Sequence, residues 1–308
     1  MSLSEDLRNE LAAIAPERGC CRLAEVSALF HSSGSIHLRG RGEIALHLDL
    51  SSAAAARRAF SLLRELGITS EIRTYRRQAF ERATRYQLHV AGDAGSLEPL
   101  VEAGVLGSRH APLERPPRRV VGRACCRGAY LRGAMLGGGS LSGPRSPHLE
   151  LRTTSLEGAD FLRYVAADVK VGVLDRGRHA IAYAKGMDAI ETLLAAAGAG
   201  DTVLALEERA VVAATRAEAN RLANADHANL VRTSRAAQVQ LDAVRALRAA
   251  GRLESLPERL HEVARLRLRH TSLSLRELAV RCDPPATKAS VHRRLNKLVE
   301  LARLGLPR

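Results

Sequence analysis

The 308-residue chain reads as an α+β protein: two units of order αββαββα in tandem, then an all-α domain ending in a helix-turn-helix. Three observations predict this. Cys20 to Ser35, CCRLAEVSALFHSSGS, and Cys125 to Ser140, CCRGAYLRGAMLGGGS, align without a gap and share Cys20/Cys125, Cys21/Cys126, Arg22/Arg127, Ala24/Ala129, Gly34/Gly139 and Ser35/Ser140. Each copy reads as a helix stopped at a glycine and followed by strand-like sequence, the pattern of an internal duplication. Near the C-terminus, a short capped helix, a proline pair and a basic helix follow one another within thirty residues.

In chain order, Ser2 to Ala15 carries Leu3, Leu7, Leu11 and Ile14 on one side and predicts a short amphipathic helix capping the first unit. After Gly34, SIHLRGRGEIALHLDL predicts two strands with a turn at Gly40 to Gly42, and SSAAAARRAFSLLRELG a serine-capped helix ending at Gly67. ITSEIRTYRR and ATRYQLHVAG follow as strands, and Ser96 to Ala103 as a short helix. The second unit repeats the order. SLSG and PHLELRTTS are its first strands, LEGADFLRYVAAD its helix, VKVGVLD and RHAIAYAKG its second strand pair, and MDAIETLLAAAG its last helix. HAPLERPPRRVVGR, residues 110–123, has two adjacent prolines and four arginines and predicts an exposed linker. The expected domains are 1–200, with repeats 1–109 and 120–200, a connecting helix 201–228, and a helix-turn-helix domain 229–308 whose first helix starts at Asn229.

With 46% hydrophobic residues the chain has material for sizeable cores. It holds no apolar run of about 18 residues, and its polar, acidic start argues against a signal peptide. A cytoplasmic, nucleoid-associated protein with no membrane contact is expected. The formal charge of +14 comes from 43 arginines and only 4 lysines, a bias that a GC-rich genome also produces. Its distribution is more telling. Residues 222–308 hold 17 Lys/Arg against 8 Asp/Glu, a balance of +9, and the longer first part carries only +5. Positive charge concentrates where a phosphate-binding module would need it.

The five cysteines lack zinc-finger spacing, since Cys20-Cys21 and Cys125-Cys126 are adjacent. Neighbours on a helix point about 100° apart, which argues against one pair chelating one ion. Buried structural thiols are the simpler reading; thiols meeting across the two helices would make a redox-sensitive or metal site. No cofactor is expected. GGGS at 137–140 lacks the spacing and lysine of a phosphate loop, and neither His31 nor His292 has the partners of a catalytic base. With 9 Tyr and Phe and no Trp, a base-stacking platform for single strands is not expected.

Small residues recur four apart on each duplicated helix, Ala28 and Ser32 in one and Gly133 and Gly137 in the other, making stripes on which two backbones can approach closely. Val26 to Gly34, VSALFHSSG, and Leu131 to Gly139, LRGAMLGGG, resemble degenerate copies of the LAGLIDADG homing-endonuclease motif. The resemblance implies two helices packed across a pseudo-twofold axis under saddle-shaped sheets. It also implies a metal-binding acid at the penultimate motif position, here Ser33 and Gly138. A hydroxyl is a poor Mg²⁺ ligand and glycine offers none, so the scaffold is expected to lack nuclease activity. An active nuclease would need other ligands, such as Glu25 or Asp49. Arg39, Arg41, Arg73, Arg76 and Arg77 on the first saddle, and Arg145, Arg152, Arg176 and Arg178 on the second, suit either phosphate contacts or solvated strand edges.

Ser274-Leu-Arg-Glu277 has the S-x-x-E spacing of a capping box and starts the helix LRELAVRC. Asp283-Pro284-Pro285-Ala286 breaks it, where glycine is commoner, and Thr287 is placed to cap KASVHRRLNKLVELARL. On that helix Val291, Leu295, Leu298 and Ala302 predict an inward stripe. Lys288, His292, Arg293 and Asn296 project outward, with Arg294 and Lys297 flanking, and Thr287 and Ser290 suit phosphate contacts near the N-terminus. Arginine and lysine donate to guanine O6 and N7 and asparagine pairs with adenine, so this face predicts major-groove reading of double-stranded DNA.

CCRGAYLRGAMLGGGSL, NLVRTSRAAQ and SLRELAVRCDPPATKASVHRRLNKLVELA together resemble the WhiA DNA-binding regulators of Gram-positive bacteria over the whole chain. That resemblance implies a sequence-specific, non-enzymatic transcriptional regulator whose C-terminal domain reads DNA. It further implies roles in sporulation, cell division and chromosome segregation, and a WhiB-type iron-sulfur partner. The alternatives are an active nuclease and an N-terminal unit serving as a protein-interaction scaffold.

Overall fold

The computed structural model describes residues 2–38, 44–76, 84–143 and 146–304. It falls into two compact units, Met1–Ala214 and Thr215–Arg308. In the first, α1 (Leu3–Ala13) precedes a repeat of α2 (Gly19–Ser33), β1 (Gly34–Leu38), β2 (Ile44–Leu50), α3 (Ala53–Glu65), β3 (Ser70–Arg76), β4 (Thr84–Ala91) and α4 (Ala94–Glu102). The second repeat comprises α5 (Ala124–Gly138), β5 (Gly139–Leu141), β6 (His148–Thr153), α6 (Leu156–Val165), β7 (Gly172–Asp175), β8 (Ala180–Lys185) and α7 (Met187–Ala197). Both repeats have the expected order αββαββα, and their antiparallel sheets share one topology, β1-β2-β4-β3 and β5-β6-β8-β7.

Alternation fixes each sheet's buried face. Leu46, Leu48 and Leu50 of β2 pair in register with Val90, Leu88 and Tyr86 of β4, and all three leucines are fully buried. Beneath the sheets α2 and α5 pack against each other, and their apolar residues join those of both repeats in one core. Serine or aspartate starts most of the other helices. Ser52, Asp93 and Ser155 cap α3, α4 and α6 by accepting from the amide three residues on.

Two expectations change here. Leu3, Leu7 and Leu11 are buried as the periodicity requires, but α1 also reaches the second repeat: Arg8 donates to Gly139 O at 2.7 Å and Ser4 Oγ to Leu141 O at 3.1 Å. The segment 110–123 is not a solvated linker throughout. Its arginines are exposed, but Val120 and Val121 in a 3₁₀ turn (Arg118–Val121) enter the core. Pro117 lies against Gly104, where a Cβ would sit 2.5 Å from its Cδ and φ is +70°. The apolar residues between the arginines, not the arginines, decide the path.

The second unit begins within α8 (Gly200–Ala249), a continuous helix of 50 residues, and continues with α9 (Glu258–Arg269), α10 (Leu275–Val280) and α11 (Lys288–Arg303). Asn229, expected to start a helix, lies inside α8, because no glycine or proline interrupts the chain from 201 to 249. Val244, Leu247, Val263, Ala264, Leu278, Val291, Leu295 and Leu298 form a second core. Burying each of the larger of these contributes about 1.5–3 kcal/mol. No helix among the described residues is long and apolar enough to cross a membrane.

Candidate nucleic-acid interface

The capping box at α10 is complete: Glu277 N donates to Ser274 Oγ at 3.3 Å and Ser274 N to a Glu277 oxygen at 2.8 Å. Those bonds hold the Glu277 carboxyl below its usual range. Thr287 caps α11 by accepting from Ser290 N at 3.2 Å. Val291, Leu295, Leu298 and Ala302 are buried, the stripe expected. With that side fixed, Lys288, His292, Arg293, Asn296 and Lys297 are exposed and Ser290 half-buried. His292 and Asn296, one turn apart, approach to 3.4 Å, and Lys297 pairs with Glu300 at 3.0 Å.

Arg294 differs from its neighbours. Only 20% of its side chain is exposed, and its guanidinium lies 3.6 Å from Glu262 of α9. The other Glu262 oxygen accepts from Asp283 N in the turn at 2.6 Å, so one carboxylate ties α9 to both ends of the break between α10 and α11. Buried Arg267 does similar work, donating to Leu273 O at 2.7 Å and to Gln240 of α8 at 2.9 Å. Neither tie was visible in the sequence, since both join residues far apart in a region crowded with arginine.

At the α2/α5 crossing the small residues act as expected. A Cβ on Gly133 would lie 2.4 Å from Glu25 O and 2.9 Å from Ala28 Cβ, and one on Gly137 would lie 3.0 Å from Ser32 Cβ. Neither penultimate position of the motif carries a carboxylate. Ser33 Oγ donates to Leu29 O of its own helix at 3.0 Å. Gly138 lies under β6, where a Cβ would sit 2.6 Å from Arg152 O. The substitute ligands are engaged too. Buried Glu25 accepts from Arg58 at 3.2 Å and Arg132 at 2.8 Å, burial pushing its pKa up while the two guanidiniums pull it down. Asp49 accepts from Tyr75 at 2.8 Å and Gln87 at 3.3 Å. His31 is held between Ser27 O at 2.8 Å and Leu113 O at 3.1 Å, and burial lowers its pKa.

On the open face of the first sheet Arg73 is paired with Glu71 at 2.8 Å, and the rings of His37, His47 and His89 follow one another at a tilt, with centroids 4.8 Å apart. Arg76, Arg152, Arg176 and Arg178 are exposed; Arg39, Arg41, Arg77 and Arg145, with the turn at 40–42, lie outside the described residues. The cysteines depart from the separation expected of adjacent residues: Cys125 and Cys126 Sγ are 3.9 Å apart, and both face Cys20 and Cys21 across the helix pair.

Fold and site together define a LAGLIDADG-type scaffold, without acids at its motif ends, carried in one chain with a capped helix-turn-helix. Three family models match in succession: the WhiA N-terminal LAGLIDADG-like domain over residues 19–102, the WhiA LAGLIDADG-like domain over 127–216 and the WhiA C-terminal HTH domain over 219–302. The chain belongs to the WhiA family. A protein named probable cell division protein WhiA from Heliobacterium modesticaldum is 35% identical over 317 residues, covering 100% of this chain and 99% of its own. One of the same name from Acidothermus cellulolyticus is 37% identical over 320 residues, covering 100% and 97%. The fold is shared with full-length DUF199/WhiA from Thermatoga maritima, at 23% identity and a TM-score of 0.57 over 100% of both chains.

Proposed function

We infer that this protein is a sequence-specific double-stranded-DNA-binding regulator that attaches to DNA without cutting it. The observation that carries this reading is the face of α11, where Lys288, His292, Arg293 and Asn296 stand exposed above a fully buried apolar stripe. Arg293 and Asn296 have the chemistry to read guanine and adenine edges, and Thr287, Ser290 and Lys297 are placed for phosphates. For Arg294, the contact with Glu262 supports a role in bracing the module beside the flanking DNA contact expected of it. The relatives' names support a role in cell division. Sporulation, chromosome segregation and a WhiB-type partner follow from the family resemblance alone.

Nuclease inactivity is supported by Ser33 turned back on its own helix, by the lack of space at Gly138, and by the arginines that hold Glu25. Selection of duplexes by the full chain from a random pool, followed by titration against scrambled duplexes at matched salt, tests the reading. A selected site bound no better than scrambled DNA would refute it. So would reproducible site-specific nicking of plasmid with Mg²⁺ or Mn²⁺.

A further inference from the structure

The first turns of α2 and α5 bring four thiols together. The Sγ atoms of Cys20, Cys21, Cys125 and Cys126 all lie within 4.8 Å of one another. A tetrahedral thiolate site with metal–sulfur bonds of about 2.3 Å has sulfurs about 3.8 Å apart. The Cys125–Cys126 edge is already 3.9 Å, so the remaining edges need to close by about an ångström at most. Two adjacent cysteines on one helix make a poor chelate; two such pairs facing each other make a complete set of four.

The charges around the cluster point the same way. Arg18 and Arg123 occupy the N-cap positions of α2 and α5 and make no side-chain cap bond there. A cation is unfavourable at the positive end of a helix dipole, where α3, α4, α6 and α11 carry Ser, Asp, Ser and Thr. Each guanidinium reaches across to the other helix's cysteine: Arg18 Nη1 is 3.7 Å from Cys125 Sγ, and Arg123 Nη1 is 3.9 Å from Cys20 Sγ. Four thiolates around a divalent ion carry a net charge of about −2, which two guanidiniums and two helix N-termini balance.

We propose that Cys20, Cys21, Cys125 and Cys126 form a closed four-thiolate site for a thiophilic divalent metal ion of the zinc class, clamping α2 to α5 at their N-terminal ends. Cys20 and Cys125 are half-buried and Cys21 and Cys126 buried, so an ion enters past the outer pair and is held by the inner one. Each thiol still protonated when the ion enters gives its proton to solvent as a sulfur–metal bond forms; no electron moves. The role is structural, because all four positions around the ion are taken by sulfur.

The test uses the full chain, purified under reducing conditions without chelator, for metal analysis, then stripped and titrated with Co²⁺. Expected are one ion per chain and the visible absorption of tetrahedral cobalt–thiolate, saturating at one equivalent with release of protons. Cys20→Ser with Cys125→Ser removes the spectrum. Cys282→Ser, altering the cysteine of the other unit, leaves it unchanged. Chelator lowers the melting temperature of the wild type but not of the double variant. A folded, reduced wild-type chain that takes up no metal and gives no cobalt–thiolate spectrum overturns the proposal, whatever the variants do. So does mass analysis in which these cysteines form disulfides and, once reduced, still take no ion.

Discussion

The α2/α5 pair and α11 both carry arginines and small polar side chains, and they use them in opposite ways. Within the pair the charges are consumed internally: Glu25 is held by Arg58 and Arg132, and Ser33 bonds its own helix. On α11 the stripe of Val291, Leu295 and Leu298 takes up the packing and leaves Lys288, His292, Arg293 and Asn296 facing outward. The contrast teaches that counting basic residues does not locate a DNA-binding surface. What matters is which side of a helix the packing leaves exposed.

The largest effect expected from this contrast is on Glu25. Glu25→Ala leaves two buried guanidiniums unpaired and destabilises the first unit by about 3–5 kcal/mol, read by denaturant unfolding. Binding to selected DNA, measured where the variant is folded, keeps its sequence preference. Loss of preference with unchanged stability would reverse the roles assigned to the two regions.

Next come Arg293→Ala and Asn296→Ala, each expected to cost about 1–3 kcal/mol on a selected duplex and little on scrambled DNA, with an unchanged melting temperature. Lys297→Ala should weaken binding to all duplexes evenly and flatten the salt dependence. In the helix pair, Gly133→Ala forces a methyl toward Glu25 O and costs about 1–3 kcal/mol of stability. A thermally neutral Gly133→Ala would mean that the helices have room to separate.

Smaller effects sharpen the boundary within α11 itself. Arg294→Ala should cost about 0–1 kcal/mol of stability and leave base preference intact, since its partner is Glu262 and not a base. Ser274→Ala removes the cap of α10 and costs about 1 kcal/mol. Because the folded-state pKa of Glu277 is depressed by its bonds to Ser274, its contribution is complete above the ordinary carboxylate pKa of about 4.3 and is lost as pH falls through the lower folded value. That acid-side loss should be present in the wild type, smaller in Ser274→Ala, which keeps the backbone N–H donor and loses the hydroxyl, and absent in Glu277→Gln, read by unfolding as a function of pH.

Much of this was legible in the sequence because it is local. Alternation gave β2 and β4, S-x-x-E gave the capping box, and spacings of four, three and four gave the buried stripe of α11. What was hidden depends on residues far apart in the chain. Glu25 meets Arg58 when its own repeat folds and Arg132 only when the two repeats close, and Glu262 finds Arg294 only across the helix-turn-helix. The helix start expected at Asn229 failed because capping residues mark an end only where something stops the preceding helix, and nothing does so before Gly251. For the thiols, the sequence left buried structural cysteines and a meeting across the two helices both open, because the angle between neighbours on one helix says nothing about a second helix laid against it; the packing of α2 on α5 brings all four together.

Gly138 has a consequence for what this scaffold can become. With a carbonyl of the overlying strand where a side chain would begin, any acid introduced there must first push that strand away. One codon change at this position therefore loses stability before it gains a ligand. The strand over Gly138 thus keeps that helix end short of side chains as firmly as the crossing keeps Gly133.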